Sequence, residues 1–218
     1  MNPVDLRLYG IIGPENLRGR DPGALVAAAV AGGCTLVQLR DKTSPTRVLV
    51  DTTRSLKAAL AGSGVPLLVN DRVDVALAGG ADGVHLGQDD MDVRDARALL
   101  GPRAIVGLTL KSPAHAAALA GLSADYGCIG GVFATTSKDN PEPPIGLDGL
   151  AAVLAAGRSS GVPLGAIAGI DAGNAGTVIG TGADGIAVIS ALFNADDPAL
   201  AARRLRAIVD GALAARGA

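Results

Sequence analysis

The sequence predicts an α/β fold, a single (β/α)8 TIM barrel domain spanning residues 1–218. Three observations lead there. Eight short apolar runs of strand length alternate with Ala/Leu/Arg-rich stretches of helical character. Three segments resemble one another, "GADGVHLG", "SADYGCIG" and "GADGIAVIS", and each closes a helix and opens a strand. Polar residues gather just beyond the ends of the runs, where a parallel barrel assembles its site from separate loops. An open doubly wound sheet is the alternative arrangement.

The runs follow in order. "LRLYGII" is the first, and "TLVQLRD" the second. In the second, Leu36, Val37 and Leu39 are apolar at both parities, so the strand is buried on both faces. Gln38, Arg40 and Lys42 share one parity and converge if the strand runs that far. The charge-free stretch from Pro22 to Leu39 is long enough for a membrane span. Gly32-Gly33 divides it into an Ala/Val helix and a Thr/Val strand, and "MNPVDLRLYG" has no apolar region of signal-peptide type. The third run, "PLLVND", ends in Asn70 and Asp71; the fourth, "GVHLG", leads into Asp89 and Asp90. The fifth, "AIVGLT", delivers Thr109. The sixth, "YGCIGGVF", runs into "ATTSKDNPEPPIG", a Pro-rich connection of the kind that forms lids, with Thr135, Ser137 and Lys138. "PLGAIAGI" brings Gly169, and "GIAVIS" brings Ile189 and Ser190. Asp82, Asp125 and Asp184 precede strands, on the face that carries stability, and the final "AARRLRAIVDGALAARGA" reads as an amphipathic helix.

Composition narrows the function. A net charge of −2 with 19 dispersed basic residues gives no nucleic-acid stripe, and 2% aromatic residues give no stacking platform. Cys34 and Cys128 stand far apart without zinc spacing, which predicts buried thiols in a reducing, cytoplasmic setting. No membrane association is expected. An Ala-rich exterior is compatible with a homodimer, although no specific patch stands out.

The residues beyond the strands suggest a chemistry. Asp71 and Asp90 form an all-oxygen site suited to Mg²⁺, with Asp89 competing for the second place. Arg40, Lys42 and Lys138 beside such a metal suit a diphosphate. Gly169 and the turn at Ile189-Ser190 match a phosphate corner. Two phosphorylated ligands and one metal imply group transfer with diphosphate leaving. His85 reads as a hydrogen-bonded core residue, His115 as surface, and Asp41 and Arg72 as pointing away from the site.

"TLVQLRDK", "VNDRVDVALAGGADGVHLGQDD", "GGVFATTSK" and "GIAVIS" resemble the thiamine phosphate synthase family, in the family's order and across nearly the whole chain. The resemblance implies a (β/α)8 barrel that joins 4-amino-5-hydroxymethyl-2-methylpyrimidine diphosphate to a thiazole phosphate, or its carboxylated form. Thiamine phosphate and diphosphate are the products, by a dissociative, Mg²⁺-assisted route. Gln38, Arg40, Lys42 and Asn70 would bind the pyrimidine diphosphate, Asp71 and Asp90 the Mg²⁺, with Thr109 and Lys138 at the diphosphate. Thr135, Ser137, Gly169, Ile189 and Ser190 would hold the thiazole phosphate. Arg40, Lys42, Thr109 and Lys138 would carry the catalysis. The chain departs from the commonest pattern at Thr109, Lys111, Gly131, Ser137 and Ala168, and Lys111 is expected to be solvated. A thiazole tautomerase of the same fold and a non-catalytic thiazole phosphate binder are the alternatives. Both leave the combination of Arg40, Lys42, Asn70, Asp71, Asp90 and Lys138 without a use.

Overall fold

The computed structural model describes residues 4–135 and 143–217. Eight parallel strands, β1 (Leu8–Ile12), β2 (Leu36–Leu39), β3 (Leu67–Asn70), β4 (Gly83–Leu86), β5 (Ile105–Leu110), β6 (Tyr126–Ile129), β7 (Leu164–Ile167) and β8 (Gly185–Val188), form a closed barrel in sequence order. Closure pairs Tyr9 of β1 with Ala187 of β8. The predicted barrel is therefore the observed one, and the open sheet is excluded.

Helices α1 (Pro14–Leu17), α2 (Pro22–Ala31), α3 (Thr46–Ala59), α4 (Val73–Gly79), α5 (Val93–Leu100), α6 (Pro113–Ala118), α7 (Gly146–Gly157), α8 (Ala175–Gly180), α9 (Ser190–Phe193) and α10 (Pro198–Gly217) surround it. Local chemistry starts several of them. Asp21 accepts from the Ala24 N–H at 2.7 Å and Pro22 follows as the first helical residue of α2, where a missing N–H costs nothing. Asp92 caps α5 through the Arg94 N–H at 2.8 Å, and Ser112 caps α6.

Strand alternation splits the core in two. Leu8, Ile12, Val37, Leu39, Val69, Val84, Val106, Ile129 and Val188 face the helices. Tyr9, Ile11, Leu36, Leu68, Tyr126, Cys128 and Ala187 fill the interior. The interior is crowded enough to dictate a glycine: a Cβ on Gly107 would lie 2.1 Å from the Tyr126 ring. Burial pushes the Cys34 thiol up to about 11, so it stays protonated and donates to backbone carbonyls.

The base of the barrel shows one arrangement four times. Thr35, Asp82, Asp125 and Asp184, each just before an even-numbered strand, donate their N–H at 2.8 Å to Leu8, Leu67, Val106 and Leu164 at the starts of the odd strands. Their side-chain oxygens accept the N–H of those same residues at 3.1, 2.7, 2.7 and 2.9 Å. Helix cations neutralise the three acids: Lys57 for Asp82, Arg97 for Asp125 and Arg216 for Asp184. The acids expected to be structural are the latches that join strands in pairs.

Candidate active site

At the opposite end, beyond the strands' C-termini, lies a cavity of about 660 Å³. Among its lining residues are the expected Gln38, Arg40, Asn70, Thr109, Thr135, Gly169, Ile189 and Ser190. Ser137 and Lys138, and the central part of the expected lid, lie outside the described residues.

Lys42 departs from the simple alternation. β2 ends at Leu39, so the strand does not carry its parity that far. Arg40 lines the cavity, with Glu15 of α1 at 3.9 Å, whereas Lys42 turns to Asp71, with Nζ 3.0 Å from Oδ2. Lys42, Asp71 and Asp90 thus form a charged group beside the cavity rather than part of its lining.

The two carboxylates face each other. Asp71 follows β3 with φ +62°, a left-handed backbone that an aspartate tolerates better than most residues, and its N–H is held by the His85 carbonyl at 2.9 Å. Burial first, and then the neighbouring Asp90 carboxylate, raise the Asp71 pKa above the ordinary value; Lys42 pulls in the other direction. Asp90 is itself fixed by the Gly87 N–H at 2.7 Å. The geometry therefore selects Asp90 over Asp89 as the partner of Asp71. Two close hard-oxygen ligands of like charge suit a Mg²⁺ that completes its shell with water and phosphate. Among the described residues no group of three or more His, Cys, Asp or Glu side chains is arranged to hold a metal.

On the far side, Gly169 has φ +63°, and a Cβ there would sit 2.4 Å from the Ala134 carbonyl oxygen. Asn174, absent from the sequence-based expectations, braces this turn: its Nδ2 donates to the Gly169 carbonyl at 2.8 Å and its Oδ1 accepts from the Asp171 N–H at 2.9 Å. The segment after β6 docks on the same corner, since Phe133 donates its N–H to Ala168 at 3.0 Å. Ser190 and Ala191 open α9 onto the cavity.

His85 is hydrogen-bonded as expected, but it also lines the cavity, as do Tyr9 and Cys128. Lys111 is exposed and lines the mouth, a more specific placement than simple solvation. His115 is partly exposed, with its Nδ1 accepting from the Lys111 N–H at 3.3 Å. Asp41 and Arg72 are turned away: Asp41 caps the loop at Thr43 and Ser44, and Arg72 pairs with Asp74 at 2.6 Å.

The family model described as thiamine monophosphate synthase matches residues 8–192, most of the barrel and both sides of this cavity. The chain belongs to the thiamine monophosphate synthase family. It is 48% identical over 218 residues to the thiamine-phosphate synthase of Agrobacterium fabrum, covering 99% of each chain. It is 49% identical over 214 residues to that of Xanthobacter autotrophicus, covering 98% of this chain and 99% of the relative. A solved thiamine phosphate pyrophosphorylase from Pyrococcus furiosus superposes with a TM-score of 0.84 at 38% identity, over 96% of this chain and 98% of that one. The matched residues include both the charged cluster and the Gly169 corner.

Proposed function

We propose that this chain is a thiamine phosphate synthase, a transferase that joins 4-amino-5-hydroxymethyl-2-methylpyrimidine diphosphate to a thiazole phosphate or its carboxylated form, releasing diphosphate. One observation carries the reading: a single cavity separates the Lys42, Asp71 and Asp90 cluster on one side from the turns at Gly169 and Ser190 on the other. That layout suits two phosphorylated ligands approaching each other.

In this reading Gln38 and Asn70 orient the pyrimidine, while Arg40, Lys42 and Thr109 hold its diphosphate, with Lys138 as a further cation. Thr135, Ser137 and the backbone at Gly169, Ile189 and Ser190 hold the thiazole phosphate. Asp71 and Asp90 would hold Mg²⁺, which when bound neutralises charge gathering on the departing diphosphate. Fixed cations do the same without reorganising, and such preorganised charge is usually the largest single contribution a site makes. The apolar lining from Ile11, Ile145 and Ile167 keeps water from the carbon that loses the diphosphate. Two buried thiols suit a cytoplasmic, reducing location.

The test is thiamine phosphate formation by the purified protein from both substrates, with Mg²⁺ and then with excess chelator. Product that disappears on chelation is expected. Absence of product in both conditions, with the fold intact, would overturn the assignment in favour of an isomerase or a silent binder.

A further inference from the structure

A chain of hydrogen bonds crosses the cavity floor. Gln38 Nε2 donates to the Tyr9 hydroxyl, which lies 2.9 Å from the Tyr126 hydroxyl. Tyr126 in turn lies 2.8 Å from His85 Nδ1, and His85 Nε2 lies 2.9 Å from Thr109 Oγ1. Both ends, Gln38 and Thr109, line the cavity, and Gln38, Tyr9, Tyr126 and His85 are buried.

Counting protons gives this chain a direction. Each tyrosine has one hydrogen to donate, and burial drives both phenol pKa values far upward, so neither ionises. Because Tyr9 receives the Gln38 amide hydrogen, its own goes to Tyr126. The Tyr126 hydrogen then goes to His85 Nδ1. The ring carries its proton on Nε2 and gives it to Thr109 Oγ1. The hydrogen of Thr109 itself is left to point into the cavity. Turning the Gln38 amide over reverses every link without moving a ring: Thr109 then spends its hydrogen on His85 and shows the cavity only lone pairs. A doubly protonated ring fits only the reversed order: Tyr126 then accepts from Nδ1–H and passes its own hydrogen to Tyr9, which donates to the turned Gln38 carbonyl, while Nε2–H still donates to Thr109.

We infer that Tyr9, Tyr126 and His85 are positioning residues that hold Thr109 as a hydrogen-bond donor to the diphosphate and hold the Gln38 amide in one orientation. The inference rests on the reading that a diphosphate binds at Thr109. Diphosphate oxygens only accept, so with a neutral His85 ring they select the polarity in which Thr109 donates. The same selection fixes Gln38 at the other end of the floor, with its carbonyl left for the pyrimidine. Thr109 is held for this task twice, because its carbonyl also accepts from Gln88 Nε2 at 2.6 Å.

Two measurements on the full-length protein test it. With inorganic diphosphate and Mg²⁺ bound, the ¹⁵N spectrum of His85 should show the Nε2–H tautomer with a bare Nδ1. An Nδ1–H tautomer, an imidazolium, or no binding of inorganic diphosphate would overturn the proposal. Kinetically, Tyr126→Phe and Thr109→Val should each lower kcat/KM, by up to about 100-fold as for loss of one oriented donor. The double variant should be no worse than the poorer single one, and Thr109→Ser should keep most of the activity. Losses that multiply in the double variant would show that the two residues act separately. A wild-type enzyme that makes no thiamine phosphate would refute the functional reading instead, and the tautomer measurement would still decide the direction of the chain.

Discussion

Asp71 carries a conflict at a single residue: a half-buried carboxylate set against Asp90 on a left-handed backbone, with the Lys42 ammonium 3.0 Å away. Its raised pKa means that the folded protein holds this proton to higher pH than the unfolded chain does. Stability therefore falls as pH rises from the ordinary carboxylate value of 3.8 through the raised one, because charging Asp71 costs more in the folded state. Replacing it by Asn should raise the melting temperature of the Mg²⁺-free protein above that window and remove this part of the pH dependence. The same variant should lose about 100-fold or more in kcat, as expected when a group serving the developing charge is removed. Thermal melts across pH, paired with turnover, check both; a variant with normal turnover would remove Asp71 from the site. Wild-type Mg²⁺ affinity should also weaken on acidification, since the metal must displace that proton. Ala168 carries a simpler strain, with φ +95°. Ala168→Gly should stabilise the fold by roughly 1 kcal/mol, relieved backbone strain exceeding the added chain entropy, as a denaturant titration would show.

At the scale of strands and loops, what could be read from the sequence depended on whether a signal is local. All eight strands are visible as apolar runs because both of their faces are buried, and Gln38 stands out within β2 because everything around it is apolar. The two four-residue helices, α1 and α9, are too short to show a period. Lys42 shows the limit of alternation: the rule holds to the last ladder residue, and β2 stops at Leu39. Tyr9, Tyr126 and His85 come from β1, β6 and β4, and only barrel closure brings them together. Nothing in the spacing of those three residues could have announced their contact. Asn174 is hidden for a similar reason, since its work is to hold a backbone turn five residues earlier.

For the molecule as a whole, the two ends of the barrel have separate tasks. The base carries the paired-strand latches and the mouth carries the chemistry, so changes at one end should leave the other intact. Asp125→Ala removes the acceptor of the Val106 N–H and the partner of Arg97. It should cost about 2 kcal/mol of stability, the price of an orphaned buried donor, with kcat unchanged at a temperature where the variant is folded. Urea unfolding and steady-state kinetics on the same preparation check this separation. The latches also say how the barrel divides. They bind β1 to β2, β3 to β4, β5 to β6 and β7 to β8, and leave the seam between β4 and β5 to backbone bonds such as Ile105 N–H to Asp82 at 2.9 Å. The chain reads as a tandem of four kindred quarters, and a cut at residues 101–104 would yield two fragments with equivalent edges. Each half would then bare two unpaired strand edges, β1 and β4 on one and β5 and β8 on the other, so the foot of the barrel marks where a split chain could be made to reassemble.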